Sequence, residues 1–142
     1  MQLSISDQML KTGDIEMISI VDDDGSVREA LVSLVRSLGY EAFGFASADA
    51  FLSAEDFDRF CCAITDVHMP GMNGFELKKQ LAARGRPLPV IMITAGSGPD
   101  LEARARSLGS IAFLRKPFRS DTLAASIEQA LSSRENCSDT PR

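Results

Sequence analysis

Residues Cys61-Cys-Ala-Ile-Thr-Asp66-Val-His-Met-Pro-Gly-Met-Asn-Gly74 join a short apolar run to a carboxylate and then to a loop with one Pro and two Gly. The run at 61–65 reads as a short buried strand. A carboxylate therefore stands where a strand ends. In an open parallel sheet that carboxyl edge is where ligands bind. An Asp placed there can act as a nucleophile toward phosphorus or as a metal ligand. Taken alone, Asp66 is equally well read as a strand-to-turn Asp that satisfies loop amides. The rest of the chain has to decide.

Working outward, the same alternation recurs. Met17-Ile-Ser-Ile-Val21 reads as a first strand, followed by Asp22-Asp-Asp24. Ser26 can cap a helix, with Asp23 or Asp24 as further candidates for its start. Val27, Leu31, Leu34, Val35 and Leu38 follow at helical spacing, and Gly39 stops the run. Residues 40–45 read as a second strand and 47–54 as a short helix. Asn73 can cap a third helix carrying Phe75, Leu77 and Leu81. Residues 88–94 form a nearly continuous apolar run of the kind buried on both faces of a sheet. A fourth helix starts at Asp100, a fifth strand spans 111–114, and a last helix spans 120–133. The pattern is (βα)5, which implies a five-stranded parallel sheet covered on both faces, with right-handed crossovers. Residues 1–16 read as a flexible leader, 17–133 as one folded domain, and 134–142 as a polar tail or linker.

Composition fits that outline. The 142 residues suit one domain, and 44% hydrophobic with 25% charged residues is ordinary for a globular protein. A formal charge of −5 argues against direct nucleic-acid binding by this chain, which would need a basic footprint. No apolar run approaches a membrane span, and no secretory signal is visible. Cys61 and Cys62 are adjacent in a strand, so their side chains should face opposite ways and not pair. With Cys137 they lack a disulfide framework, which fits a reducing cytoplasm. One His and no Cys-x-x-Cys make a zinc site a poor fit.

The strand ends carry the chemistry. Strand one ends at Asp22, Asp23 and Asp24, strand three at Asp66, strand four at Thr94 and strand five at Lys116. Each alone has an ordinary explanation as a cap, a strand-end Thr or a loop charge. Together on one edge they are hard to credit to chance. Clustered carboxylates repel unless a cation joins them, and all-oxygen ligands with room for water suit Mg²⁺ or Mn²⁺. Such a metal offsets repulsion between an incoming phosphoryl group and an attacking carboxylate. Lys116 adds a positive charge, Thr94 a hydroxyl, and the amides of His68 and Ala95 complete a cradle. The chemistry is in-line phosphoryl transfer to an Asp.

Four segments, VDDDGSVREAL, ITDVHMPGMNGFEL, LPVIMITA and AFLRKPF, in that order and spacing, resemble the receiver domain of two-component response regulators, most of all the FixJ-like subgroup. The resemblance covers about residues 18–131 and implies a flavodoxin-like (CheY-like) three-layer sandwich. It implies Asp66 as phospho-acceptor. Asp22 and Asp23 match the acidic pair that holds Mg²⁺, with Asp66 and the His68 carbonyl as further ligands. Thr94 matches the switch hydroxyl and Phe113 the aromatic switch position, where many members carry Tyr. Lys116 matches the family's lysine, and the peptide bond to Pro117 is often cis there. His68 fills a position that tunes dephosphorylation. The implied partners are a sensor histidine kinase or phosphotransfer protein, and the resemblance also allows a second copy through the face of the fourth helix, fifth strand and fifth helix. The implied setting is cytoplasmic signalling and not enzymatic turnover of a substrate.

Two alternatives stand beside this reading. Asp22-Asp-Asp-Gly-Ser-Val27 also fits the opening motif of haloacid-dehalogenase-type phosphatases, with Asp22 as nucleophile. Against that, no later acidic pair or cap segment is visible, and residues 66–74 go unexplained. A receiver-like module that is never phosphorylated typically lacks an acidic residue, the acceptor or the Lys, and all are present here. A basic cluster, Arg104, Arg106, Arg115 and Arg119, lies near the expected output face; it could meet an acidic partner, but a solvated surface is the better reading.

Overall fold

A computed structural model describes residues 16–96 and 98–138, with residues 99 and 133–138 described by backbone alone. The expected leader, apart from Glu16, and the last four residues lie outside the described residues. Five strands, β1 (Met17–Val21), β2 (Glu41–Phe45), β3 (Phe60–Asp66), β4 (Val90–Thr94) and β5 (Ala112–Arg115), form one sheet in the order β2-β1-β3-β4-β5. All neighbouring pairs are parallel. Helices α1 (Gly25–Ser37), α2 (Ala48–Leu52), α3 (Gly74–Ala83), α4 (Pro99–Ser107) and α5 (Ser120–Ser138) connect and follow the strands. The expected (βα)5 architecture is the one found. No helix among the described residues is long and apolar enough to cross a membrane.

Alternation along the strands splits the core in two. Ile18, Ile20, Ile64, Ile91 and Ile93 meet Leu31 and Val35 of α1 and Leu123 and Ile127 of α5. Met17, Val21, Ala63, Val90 and Met92 meet α2, α3 and α4 through Phe51, Phe75, Leu77, Leu81 and Ala105. Every residue of β1 and β4 is buried, as expected for strands covered on both faces. At the β2 edge the second of these layers is sealed by rings: Phe60 packs edge-on against Phe43, Phe45 and Phe51 at centroid distances of 5.4–6.0 Å. Such edge-to-face pairs add to plain area burial.

One open choice is decided and two local expectations are corrected. Of the cap candidates for the first helix it is Asp24 and not Ser26 that caps: the Asp24 carboxylate accepts from the amides of Ser26 and Val27 at 3.0 and 3.2 Å. A carboxylate there also meets the positive end of the helix, which a Ser hydroxyl does less well. Cys61 and Cys62 both pack against the α1/α5 layer, because the β1–β3 register skips Cys61 between Phe60 and Cys62. That bulge cancels the alternation on which the opposite-face expectation rested. Both thiols are free. Finally, α5 runs to Ser138, past the expected stop at Ser133. No Gly or Pro lies in that stretch to break it.

Candidate functional site

The strand order reverses direction between β1 and β3, so a crevice opens at their carboxyl ends. Asp22 follows β1 directly, and Asp66 is the last residue of β3. Thr94 ends β4 and Lys116 follows β5. Main-chain bonds fix these ends in register: Asp22 N–H donates to Phe45 O at 3.1 Å, Val67 N–H to Ile93 O at 2.9 Å, and Lys116 N–H to Thr94 O at 2.8 Å.

One oxygen each from Asp22, Asp23 and Asp66 lies within 4.8 Å of the others, an all-oxygen set that could hold a metal ion. Their surroundings differ. Asp22 is 1% exposed, Asp66 is half-buried and Asp23 is open to solvent. Lys116 Nζ lies 3.5 Å from Asp22 Oδ2 and 3.6 Å from Asp66 Oδ2, so one ammonium stands between two carboxylates. Asp22 Oδ1 accepts from the Asp24 amide at 2.9 Å, and Asp66 Oδ1 from the His68 amide at 3.1 Å. Burial pushes the Asp22 carboxyl above its usual pKa. The Asp24 amide and Lys116 oppose that rise, and the charge on Asp66 adds to it. A carboxyl raised in the folded state favours the fold when protonated, and that contribution is lost as pH rises through the raised value. At neutral pH the ionised Asp22 therefore costs the metal-free fold some stability, which a bound cation would offset.

The loop after Asp66 explains its glycines and asparagine. Asn73 and Glu76 form a reciprocal capping box on α3, with bonds of 2.8 and 2.9 Å. Gly74 lets α3 start directly beneath the acceptor loop: a Cβ there would sit 2.7 Å from the Asp66 backbone oxygen and 3.1 Å from Val67 Cα. The contacting atoms are backbone and cannot rotate away. Gly74→Ala is accordingly expected to destabilise the protein by about 1–3 kcal/mol, read from denaturant titration.

Thr94 is fully buried, and its Oγ1 accepts from the Gly96 amide at 2.9 Å. A Cβ on Gly96 would approach His68 Nε2 to 3.1 Å, so the β4–α4 loop lies directly under that imidazole. Ala95 is exposed beside Thr94. Phe113 is partly buried on β5 against the α2/α3/α4 layer. The Lys116–Pro117 peptide is cis, as the resemblance implied.

Two arginines near the site were not singled out for it from sequence. Arg28 of α1 donates from Nη1 to the Asp22 carbonyl at 2.8 Å. Its stem crosses Gly44, where a Cβ would meet Arg28 Cγ at 2.8 Å. The Gly in strand β2 was the available signal. Arg115 bonds the β4–α4 loop instead of facing a partner. The other three arginines of the basic cluster pair within the chain, with Arg106 and Arg119 still largely in solvent. Arg104 lies over the Phe75 ring at 4.6 Å, Arg106 pairs with Glu102 at 2.7 Å, and Arg119 with Asp121 at 3.0 Å.

The response regulator receiver domain family model matches residues 18–128. The chain belongs to the receiver domain family. It is 40% identical over 114 residues to the transcriptional regulatory protein FixJ of Bradyrhizobium diazoefficiens, covering 80% of this chain and 56% of that protein. Among solved structures, FixJ-N superposes with a TM-score of 0.76 at 31% identity, covering 82% of this chain and 94% of that one. The chemotaxis protein CheY4 of Vibrio cholerae superposes with a TM-score of 0.75 at 28% identity, covering 82% and 99%. The chain spans about half the length of the curated relatives it matches. The fold is the CheY-like, flavodoxin-like sandwich, and the family is one of two-component signalling. The phosphatase alternative through Asp22 gains no support from these comparisons.

Proposed function

We propose that this receiver takes a phosphoryl group from a histidine kinase or phosphotransfer protein onto Asp66. The observation that carries the reading is the convergence of Asp22, Asp23 and Asp66 with Lys116 set between two of them. An Asp66 oxygen attacks phosphorus in line. An acyl phosphate forms as the bond from phosphorus to the donor nitrogen breaks, and the imidazole leaves with that electron pair. Water later attacks the acyl phosphate, releasing phosphate and restoring the carboxylate. Asp22, Asp23, Asp66 and the His68 carbonyl would hold Mg²⁺, or Mn²⁺, whose charge offsets repulsion between phosphoryl oxygens and the carboxylates. Lys116 balances the charge on Asp66 and contacts a phosphoryl oxygen. The amides of His68 and Ala95 and the Thr94 hydroxyl bind the others.

The same reading makes the domain a switch. Thr94 gives up the Gly96 amide and turns to the phosphoryl group. Phe113 follows by rotating inward. The face of α4, β5 and α5 then docks a partner, a second copy or an output domain. Phe113 has no hydroxyl, so any switch contact made by a Tyr hydroxyl in relatives is absent here. The setting that fits is cytoplasmic.

Uptake from a small phosphodonor such as acetyl phosphate tests this. The intact protein should gain the mass of one phosphoryl group with Mg²⁺ present and none with a chelator in excess. Uptake that ignores the metal would contradict the role given to the acidic cluster.

A further inference from the structure

We infer that Arg115 is a positioning residue that holds both switch residues, Thr94 and Phe113, in the arrangement seen here and so sets how readily the domain switches. This rests on the reading of Asp66, Thr94 and Phe113 proposed above and goes beyond it by naming the group that restrains them.

Arg115 is half-buried at the end of β5, directly before Lys116. Its Nη1 donates to the Gly96 carbonyl at 2.9 Å and its Nη2 to the Gly98 carbonyl at 2.7 Å. Its guanidinium lies 5.2 Å from the centroid of the Phe113 ring. Gly96 in turn donates its amide to Thr94 Oγ1 at 2.9 Å. One planar cation therefore grips the backbone on which the Thr94 hydroxyl is anchored and covers the ring of Phe113. A rigid fork can hold two carbonyls and stack at the same time, which a Lys ammonium cannot. Bonds from a charged donor to partly buried carbonyls are among the stronger ones, and the stack on an aromatic face adds to them.

Both contacts favour one arrangement over the other. When Thr94 leaves Gly96, that amide loses its acceptor, and any shift of the loop pulls the Gly96 and Gly98 carbonyls against the guanidinium. When Phe113 rotates, its ring leaves the guanidinium. A group bonded more strongly in one of two states biases the equilibrium toward that state by the difference. Arg115 therefore opposes activation. A solvated surface charge would make no such paired contacts, and a purely structural Arg would support both states equally.

The experiment is titration of the full chain with beryllofluoride and Mg²⁺, followed by amide resonances of Gly96 and Gly98. The variants are Arg115→Ala and Arg115→Lys. Removing the restraint should tighten beryllofluoride binding by about fivefold in Arg115→Ala, within the usual range of such couplings. Arg115→Lys, which keeps the charge and can reach one carbonyl at a time, should fall between wild type and Arg115→Ala. It also carries the test should Arg115→Ala fail to fold. In the free protein, hydrogen exchange at the Gly96 amide should quicken in both variants. Equal or weaker beryllofluoride binding by folded variants, with wild type binding normally, overturns the inference and leaves the acceptor reading intact. Wild type that binds no beryllofluoride overturns the acceptor reading and the inference with it, and the Gly96 exchange rates show whether the restraint itself exists.

Discussion

Asp66→Asn should abolish phosphoryl uptake, lowering it by on the order of a thousandfold or more in the presence of Mg²⁺. The amide has nearly the shape of the carboxylate, so the fold should survive. It lacks the negative oxygen that attacks phosphorus, and its nitrogen lone pair is delocalised. Packing also predicts a tolerated change: Asp66 is half-buried, and one of its contacts is a single bond from the His68 amide at 3.1 Å. An Asn oxygen can accept that bond. Circular dichroism should therefore be unchanged while uptake, followed by intact mass, disappears. Uptake that persists at a comparable rate would mean that the nucleophile lies elsewhere.

Asp23→Asn should move two quantities in opposite directions. Asp23 brings an oxygen within 4.8 Å of oxygens on both Asp22 and Asp66, and it is the solvent-exposed member of the three. Each solvent-screened pair of like charges at that range costs about 1 kcal/mol and Asp23 faces two, so neutralising it should stabilise the metal-free protein by about 1–2 kcal/mol. The melting temperature should rise by a few degrees, roughly 2–8 °C. Affinity for Mg²⁺ should fall by about tenfold or more, because a hard divalent cation is held largely by the count of charged oxygens around it. Calorimetric titration and thermal unfolding on the same sample read both. A variant that binds Mg²⁺ as wild type does, or that is less stable without metal, would show that the cluster is not a repulsive site awaiting a cation.

The sequence read most clearly where periodicity and special residues agreed. The apolar strands β1 and β4 and the amphipathic α1 and α3 were legible because each must bury a face in a known period. The strand ends were legible because parallel topology carries all five to one edge, so Asp22, Asp66, Thr94 and Lys116 could be brought together without coordinates. Contacts that depend on long side chains were not legible. Arg28 and Arg115 reach across elements to backbone carbonyls, and nothing local in the sequence says where a flexible guanidinium will settle. Of the basic cluster read as solvated surface, Arg106 and Arg119 stay largely in solvent, whereas Arg115 binds its own chain. The Cys61 bulge escaped for a related reason: one residue slipped from the ladder leaves no mark on composition. Ser26 and Asp24 are both good caps, and only the geometry after Asp22 decides between them.

The central claim is that Asp66, and no other carboxylate of the cluster, takes the phosphoryl group. The most direct measurement is to load the protein with acetyl phosphate and Mg²⁺, trap the acyl phosphate by borohydride reduction, and map the reduced residue by peptide mass spectrometry. Reduction is expected at Asp66 alone. Reduction at Asp22 would contradict it in favour of phosphatase-type chemistry, and a peptide map with no reduced residue would make the domain an interaction module.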